Sequence, residues 1–145
     1  MVLNIDKYEE VYNTLKEYLK DVETNPYKPS VTKLYKETIS KDNFPLVVIE
    51  EITNNLQSRT FGGNESISTV VYEINIYAIN KMVDNKEIGN MTIARELSVL
   101  VDKVMGEHYR MRRIYNAPTP NIDKTIYRIT MRYQKQIFDN RAKFI

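Results

Sequence analysis

The residues of this sequence that carry reactive chemistry are few and far apart. His108 is the one histidine and cysteine is absent, so these 145 residues hold neither a second imidazole for a histidine metal site nor a thiolate for zinc. HExxH, P-loop and GxSxG sequences are absent as well. A histidine that follows a predicted helix typically interacts with the terminal carbonyl groups. The sequence therefore predicts no catalytic, metal or cofactor site.

Two pairs of adjacent carboxylates are the remaining candidates for acid–base chemistry. Glu9-Glu10 lies near the amino end of a predicted helix, where the helix dipole favours negative charge. Glu50-Glu51 lies at the end of a predicted strand, where neighbouring side chains point to opposite faces. Neither pair is a convincing acid–base pair, and we expect no enzymatic activity.

The sharpest polar feature is a set of arginines in the last third of the chain. Its members are Arg110, Arg112, Arg113, Arg128 and Arg132. If the last two predicted strands pair, Arg110 and Arg112 share a sheet face with Arg128 and Arg132. Such a strip would face nucleic acid or an acidic partner. The alternative is a solvated face balanced by Glu73 and Asp123, which the net charge of only +2 and the lack of an RNP-type aromatic motif favour.

The composition predicts a single soluble domain over residues 1–145. Hydrophobic residues make up 42% of the sequence and charged residues 28%, which is typical of a globular domain with a real core. The opening MVLNIDKYEE lacks the basic and apolar segments of a signal peptide, and no apolar run approaches the roughly 18 residues of a membrane span. We therefore expect no membrane partner.

Two helices that position these residues are predicted from apolar stripes at helical spacing. The first extends from Asp6 to Val22, and the second from Lys86 to Gly106, with Gly106 as its carboxyl-terminal cap. Gly89 disfavours a helix interior, so the second helix has an alternative start after it. Between the helices, Val31 to Ile39 is predicted to be a short extended piece.

A buried strand and a polar connection follow. Pro45 suits the first position of a strand because proline has no amide hydrogen to donate. The strand is predicted from Leu46 to Thr53, with Leu46 to Ile49 buried on both faces. Asn54 to Glu65 is predicted to be a long polar connection, in which Gly62-Gly63 makes a sharply turned or mobile tip.

The strand predicted from Ser66 to Ala78 is more than twice the mean strand length of roughly 5–6 residues. Its inward face is predicted to carry Val70, Tyr72, Ile74, Ile76 and Ala78. Its other face, with Glu73, Asn75 and Tyr77, is predicted to be exposed or in contact with another molecule. A strand of this length suggests a module that assembles with copies of itself or with a partner.

Two further strands complete the plan. They are predicted from Tyr109 to Asn116 and from Asp123 to Phe138, and Asp139 to Ile145 is predicted to be a loose tail. The order of elements favours an α+β fold in which two helices pack on one face of a four-stranded sheet, mostly antiparallel or mixed.

Taken in chain order, these elements resemble the tail terminator, or tail-completion, proteins of tailed bacteriophages. The resemblance lies in an amino-terminal helix, the FPLVVIEE strand at Phe44 to Glu51, the polar loop, the YEINIYA strand at Tyr72 to Ala78, the ARELSVLVDKV helix at Ala94 to Val104 and the IYRITMRYQ strand at Ile126 to Gln134. It covers Ile5 to Phe138 and depends on the order and spacing of the motifs. Head–tail connector and neck proteins share related folds, so another neck or head-completion protein is the alternative.

The resemblance implies a structural virion protein, assembled in the host cytoplasm, that forms a hexameric ring on the last ring of the tail tube. Such a ring ends polymerisation of the tube or sheath, presents the surface that joins the head, and lets DNA pass without sequence-specific binding. The implied partners are further copies of this chain, the tail tube protein, for some tails the sheath, and the head–tail connector proteins.

Two groups of residues become candidates for these contacts. The candidates for contact with a neighbouring subunit or the tube are Arg59, Phe61, Gly62, Gly63, Glu73, Asn75 and Tyr77. The candidates that face the DNA channel or an acidic partner are Arg110, Arg112, Arg128 and Arg132. A small nucleic-acid-binding module that uses the same arginines is the alternative from another functional class.

Overall fold

Two helices and a mixed sheet form the fold in the computed structural model, which describes residues 7–20, 26–33, 44–59, 66–120, 123–138 and 143–144. The helices are α1 (Tyr8–Lys20) and α2 (Asn90–Asp102), and Lys103–His108 continues α2 as a π-helix. The strands are β1 (Ser30–Thr32), β2 (Leu46–Arg59), β3 (Ser66–Ala78), β4 (Lys81–Val83), β5 (Lys86–Ile88), β6 (Arg112–Pro118), β7 (Tyr127–Phe138) and β8 (Lys143–Phe144). The predicted α+β class is confirmed.

The main sheet has the strand order β1-β2-β3-β7-β6, and β8 also pairs with β7. β1 runs parallel to β2, with Ser30 opposite Leu46, whereas the other pairs are antiparallel. The prediction of four strands is therefore wrong, since β1 and β8 extend the sheet. Both are too short for their side chains to alternate visibly in the sequence, and the backbone of a longer neighbour holds each of them in place.

The core lies between the helices and one face of the sheet, and the predicted burial patterns are confirmed there. Its buried helix residues are Val11, Leu15, Leu19, Ile93, Ala94, Leu97 and Val101. Its buried sheet residues include Val47, Ile49, Tyr72, Ile74, Ile76, Ile129, Met131 and Tyr133. On the opposite face a smaller apolar cluster contains Phe44, Leu46, Val48, Tyr77 and Ile126. The two clusters explain why Leu46 to Ile49 is apolar on both faces of β2.

β2 is longer than predicted, because the polar segment expected to be a connection continues the strand to Arg59. It pairs with β3 as far as Arg59 opposite Ser66, with register shifts between Glu51 and Thr53 and between Leu56 and Ser58. Backbone groups make this ladder, so polar side chains do not prevent it. The predicted glycine tip lies outside the described residues.

The start of α2 corrects the predicted helix boundary. Lys86–Ile88 is a strand, and Gly89 is the residue before the helix, in agreement with the alternative start. β4 and β5 form a two-stranded ribbon whose turn is made by Asp84 and Asn85, with φ of 51° and 64°. Asp and Asn tolerate such left-handed conformations, and these turns match the twist of a hairpin.

The end of α2 corrects the role predicted for Gly106, which lies inside the π-helix rather than at a cap. The amide of Tyr109 donates to the carbonyl of Val104, and that of Met111 donates to the carbonyl of Met105. The wider turn buries both Val104 and Met105. No helix within the described ranges is both long and apolar enough to cross a membrane.

The predicted loose tail is wrong at Lys143–Phe144, which pairs with Ile137 and Phe138 of β7. The strand predicted from Tyr109 begins at Arg112 and continues through Pro118, and the strand predicted from Asp123 begins at Tyr127. Of the extended piece predicted from Val31 to Ile39, Val31 and Thr32 are in β1, and residues 34–39 lie outside the described residues.

Candidate interface at the β6 edge

The face of the sheet opposite the helices, called here the outer face, brings together many of the predicted contact residues. On β3 and β7 the cross-strand pairs are Glu73 with Arg132, Asn75 with Thr130, and Tyr77 with Arg128. On β6, Tyr115 lies opposite Arg132 and Arg112 lies opposite Gln134. Arg112, Arg128 and Arg132 therefore share one face, as expected if the last two long strands pair.

Asn75 is the centre of a buried hydrogen-bond network. Its Oδ1 accepts from Thr130 Oγ1 at 2.7 Å and from Arg128 Nε at 3.0 Å. Thr130 Oγ1 also lies 2.5 Å from Thr119 Oγ1. Since Thr130 has a single hydroxyl proton and gives it to Asn75, Thr119 is the donor in that contact. Asn75 is 5% exposed and Thr130 is 4% exposed, so the network is an internal part of the fold.

Tyr77 is also buried, with 4% of its surface exposed. Its ring lies 6.5 Å from that of Phe44, and the guanidinium carbon of Arg128 lies 5.2 Å from the ring centre. The expectation that Asn75 and Tyr77 lie on an exposed face is therefore wrong. Asn75 Oδ1 accepts hydrogen bonds from β7, the ring of Tyr77 contacts Phe44 and Arg128, and both side chains are covered within this chain.

Glu73 neutralises Arg132 within the outer face. Nε and Nη2 of Arg132 donate to the same carboxylate oxygen of Glu73 at 3.2 and 3.1 Å. The guanidinium carbon of Arg132 also lies 5.3 Å from the ring centre of Tyr115, which orders the guanidinium against an aromatic face. Glu50 lies opposite Glu73 on the neighbouring strand, so Arg132 also offsets the repulsion between these carboxylates.

Arg110 and Arg112 are less constrained than Arg132. Arg112 is exposed at the start of β6, and Arg110 precedes the strand with a left-handed φ of 55°. The carbonyl of Arg110 accepts a hydrogen bond from Lys135 Nζ at 3.1 Å. Within the part of the chain that the structure describes, neither arginine makes an ion pair. Arg110 is outside the strand, so the expectation that it shares the sheet face is not met.

β6 is the edge strand on this side of the sheet. Residues 112–116 are all exposed, and the two large apolar side chains Ile114 and Tyr115 are 43% and 42% exposed. A register shift between Arg113 and Tyr115 makes Ile114 the extra residue of a bulge. Pro118 is the sequence signal that identifies an edge strand, because a proline in the middle of a sheet would remove a ladder hydrogen bond.

On the helix side of this edge, Arg113 is linked to α2 through Asp102, a link that the sequence did not reveal. Arg113 Nη1 lies 3.6 Å from Asp102 Oδ1, which also accepts a 2.7 Å hydrogen bond from the hydroxyl of Tyr133. Burial and the hydrogen bond to Asp102 raise the pKa of Tyr133 well above its usual range, so its hydroxyl remains a donor. Asp102, Arg113 and Tyr133 are 11 to 31 positions apart in the sequence, and only the packing of α2 on β7 brings them together.

The other predicted residues lie away from this arrangement. Arg59 is the last residue of β2, at the far end of the strand from Leu46. Phe61, Gly62 and Gly63 lie outside the described residues. The exposed His108 ends the π-helix, and its ring meets that of Tyr109 edge-on with 4.7 Å between centres.

Edge strand β6 therefore combines exposed backbone, two exposed apolar side chains and three arginine side chains at or next to the strand. This arrangement can bind another polypeptide, and its positive charge suits an acidic surface. In the residues with described positions, no group of three or more Asp, Glu or His side chains is placed to hold a metal ion. No protein-family model matches the sequence, and no curated protein matches it at a significant level.

Proposed function

We propose that this chain is a structural subunit of a tailed-bacteriophage particle: a tail terminator that forms a ring on the tail tube, ends its polymerisation and joins it to the head. The order of α1, the long strands β2 and β3, α2, and then β6 and β7 supports this assignment through the resemblance described above. Three strands of 12 to 14 residues also give the subunit a sheet about 40 Å long, an extended surface for contacts in an assembly.

The observation that carries the proposal is the exposed edge strand β6. β6 carries a bulge, a proline and arginines, which hinder unspecific edge pairing, yet its apolar side chains Ile114 and Tyr115 are each more than 40% exposed. In an assembled particle a neighbouring protein would cover this edge. The chemistry of the function is therefore non-covalent recognition, with backbone pairing, apolar contact and charge complementarity as its sources of affinity.

The experiment is to measure the mass of the purified protein by mass photometry, alone and with tail tubes assembled from the tube protein of the same genome. We expect a ring of several copies, either free or on the tube end, and shorter tubes when the protein is present during assembly. Ile114→Ser should weaken association with tubes, whereas Met82→Ser is the matched control because Met82 is 62% exposed on β4, outside the main sheet. The proposal would be refuted if the protein stays monomeric and does not bind tail tubes.

A neighbouring neck or head-completion protein is the alternative within the same class. Both assignments predict assembly, but they differ in the partner. A terminator binds the end of the tail tube and limits its length, whereas a connector binds the portal end of filled heads. Incubation with separated heads and tails, followed by electron microscopy of labelled protein, distinguishes the two.

A nucleic-acid-binding module is the alternative from another class, and the lack of ion pairs at Arg110 and Arg112 in the described region favours it. Arg128 donates to an amide oxygen rather than to a carboxylate. This function predicts affinity for DNA or RNA that falls steeply with salt. The variant with alanine at Arg110, Arg112 and Arg128 should then lose affinity, whereas Arg95→Ala, an exposed arginine on α2, should not. Equal binding by the triple variant rejects this alternative.

A further inference from the structure

The backbone of β6 presents hydrogen-bonding groups to a further strand at Asn116. The amide of Thr119 donates to the carbonyl of Arg128 at 2.9 Å, which directs Thr119 toward β7. In an antiparallel ladder the backbone groups of alternate residues point to the same neighbour. Ala117 therefore also points to β7, and the amide and carbonyl of Asn116 point away from it. Pro118, which has no amide hydrogen, occupies another outward position at no cost to the sheet.

The side chains at this edge are positively charged and therefore favour the binding of a strand with acidic residues. Residues 110–120 contain three arginines and no acidic residue. Arg112 is on the outer face beside Tyr115, and the side chain of Arg113 is 48% exposed on the opposite face. A second β6 would bring the same arginines to the interface, and like charges oppose such pairing. A strand with acidic side chains would gain attraction on both faces of the sheet.

We propose that β6 is the docking site for an acidic, extended segment of a different polypeptide, which adds as a strand at Asn116 and places carboxylates against Arg112 and Arg110. Ile114 and Tyr115 provide the apolar contact of this interface, and Arg132, held by Glu73 at 3.1 Å, keeps Tyr115 in place. The inference names the partner chemistry of the assembly proposed above and in that respect rests on it.

The test uses the full-length protein labelled with ¹⁵N and a synthetic peptide in which glutamate alternates with valine. We expect amide shifts centred on residues 112–117. Arg110→Glu combined with Arg112→Glu should weaken affinity about tenfold, because two surface attractions become repulsions. Asn116→Pro should abolish binding, whereas Asn116→Ala should retain it. Equal binding of the same peptide with lysine in place of glutamate, or shifts outside β6, would overturn the proposal.

The remaining outcomes are also decisive. If Asn116→Pro does not fold, as judged by circular dichroism, the arginine variant and the lysine peptide carry the test, since both leave the strand backbone unchanged. If the peptide does not bind and the double arginine variant instead alters the oligomeric mass, β6 binds a second copy and the proposal is wrong. Because the peptide assay requires neither a ring nor a tail tube, its result is independent of whether the protein is a tail terminator.

Discussion

The hydroxyl of Tyr133 on β7 donates a 2.7 Å hydrogen bond to the carboxylate of Asp102 at the end of α2. The same carboxylate oxygen lies 3.6 Å from Arg113 of the edge strand. Asp102 therefore connects the core of the sheet, the α2 terminus and β6. Because the ring of Tyr133 is fully buried, its hydroxyl depends on this carboxylate for a partner on the helix side.

Tyr133→Phe should lower the free energy of unfolding by about 1.5–3 kcal/mol, since it removes one hydrogen bond to a charged acceptor and keeps the ring. Urea denaturation monitored by circular dichroism measures the change. Tyr127→Phe on the same strand face is the matched control and should change stability by less than about 0.5 kcal/mol. Equal effects of the two substitutions would show that the link to Asp102 contributes nothing to stability.

Gly106→Ala should destabilise the protein, although alanine normally favours a helix over glycine by about 1 kcal/mol. An added Cβ at position 106 would lie 3.1 Å from Asp102 Oδ1 and 3.3 Å from its Cγ, so the carboxylate must shift by a few tenths of an ångström, which weakens its hydrogen bond to Tyr133. In an Asp102→Ala background this contact is absent, so the same substitution should be neutral or stabilising. Thermal denaturation of the wild type, the two single variants and the double variant gives the coupling free energy between positions 102 and 106. Additive effects of the two substitutions would contradict this explanation.

Asn75→Ala should cost about 1–3 kcal/mol of stability, because it leaves the donors of Thr130 and Arg128 without their shared acceptor in a buried site. Asn116→Ala provides the control, since Asn116 is exposed on β6 and should tolerate the change within about 0.5 kcal/mol. The unfolding midpoint in urea is the measurement. A tolerated Asn75→Ala would show that the shared acceptor of this network contributes nothing measurable to stability.

Stability should fall in alkaline solution because the folded chain retains protons on tyrosines that the unfolded chain releases. Burial, followed by the charges of Glu50 and Glu9, raises the pKa of Tyr8 from 10.0 to about 12. Burial and the hydrogen bond to Glu96 raise the pKa of Tyr27 to about 12. Above about pH 10 the folded state therefore binds more protons than the unfolded state, so the free energy of unfolding decreases as the pH rises. Below that pH the full stabilisation is present.

Urea denaturation between about pH 9 and pH 11 measures this dependence. Tyr27→Phe and Tyr8→Phe should each flatten the decline, whereas Met82→Ser, at an exposed position without a titratable group, should leave it unchanged. Burial lowers the pKa of Lys81, so this lysine makes the free energy of unfolding rise with pH. The contribution of each tyrosine is therefore measured by comparing variants rather than from the wild-type curve alone. An identical decline in all variants would show that these tyrosines titrate normally.

The fold was predictable where burial repeats along an element. The stripe of Val11, Leu15 and Leu19 and the alternation of Tyr72, Ile74 and Ile76 follow directly from helical and strand geometry. The β4–β5 ribbon was missed because each strand has only three residues, and its signal is the turn at Asp84 and Asn85 rather than any alternation. For strands this short, the residues of the turn are the sequence signal that predicts a hairpin.

The candidate interface was less predictable than the fold. Arg112, Arg128 and Arg132 were correctly placed on β6 and β7, whereas Arg110 lies before β6. The sequence does not indicate that Glu73 binds Arg132 or that Asn75 is buried beneath Arg128. Those relationships depend on the register between β3 and β7, which joins residues more than fifty positions apart. The exposure of Ile114 and Tyr115 likewise depends on β6 lying at the sheet edge.

The sequence by itself determined the class of the fold, the inward face of each long element and the absence of a second histidine or any cysteine. These properties are local, since they depend on residue type and on the periods of helix and strand. The tertiary structure decided the strand order, and with it which arginines are neutralised and which edge is exposed. The physical reason is that charge pairing and solvent exposure depend on distances between residues remote in the chain, which the register of the sheet sets.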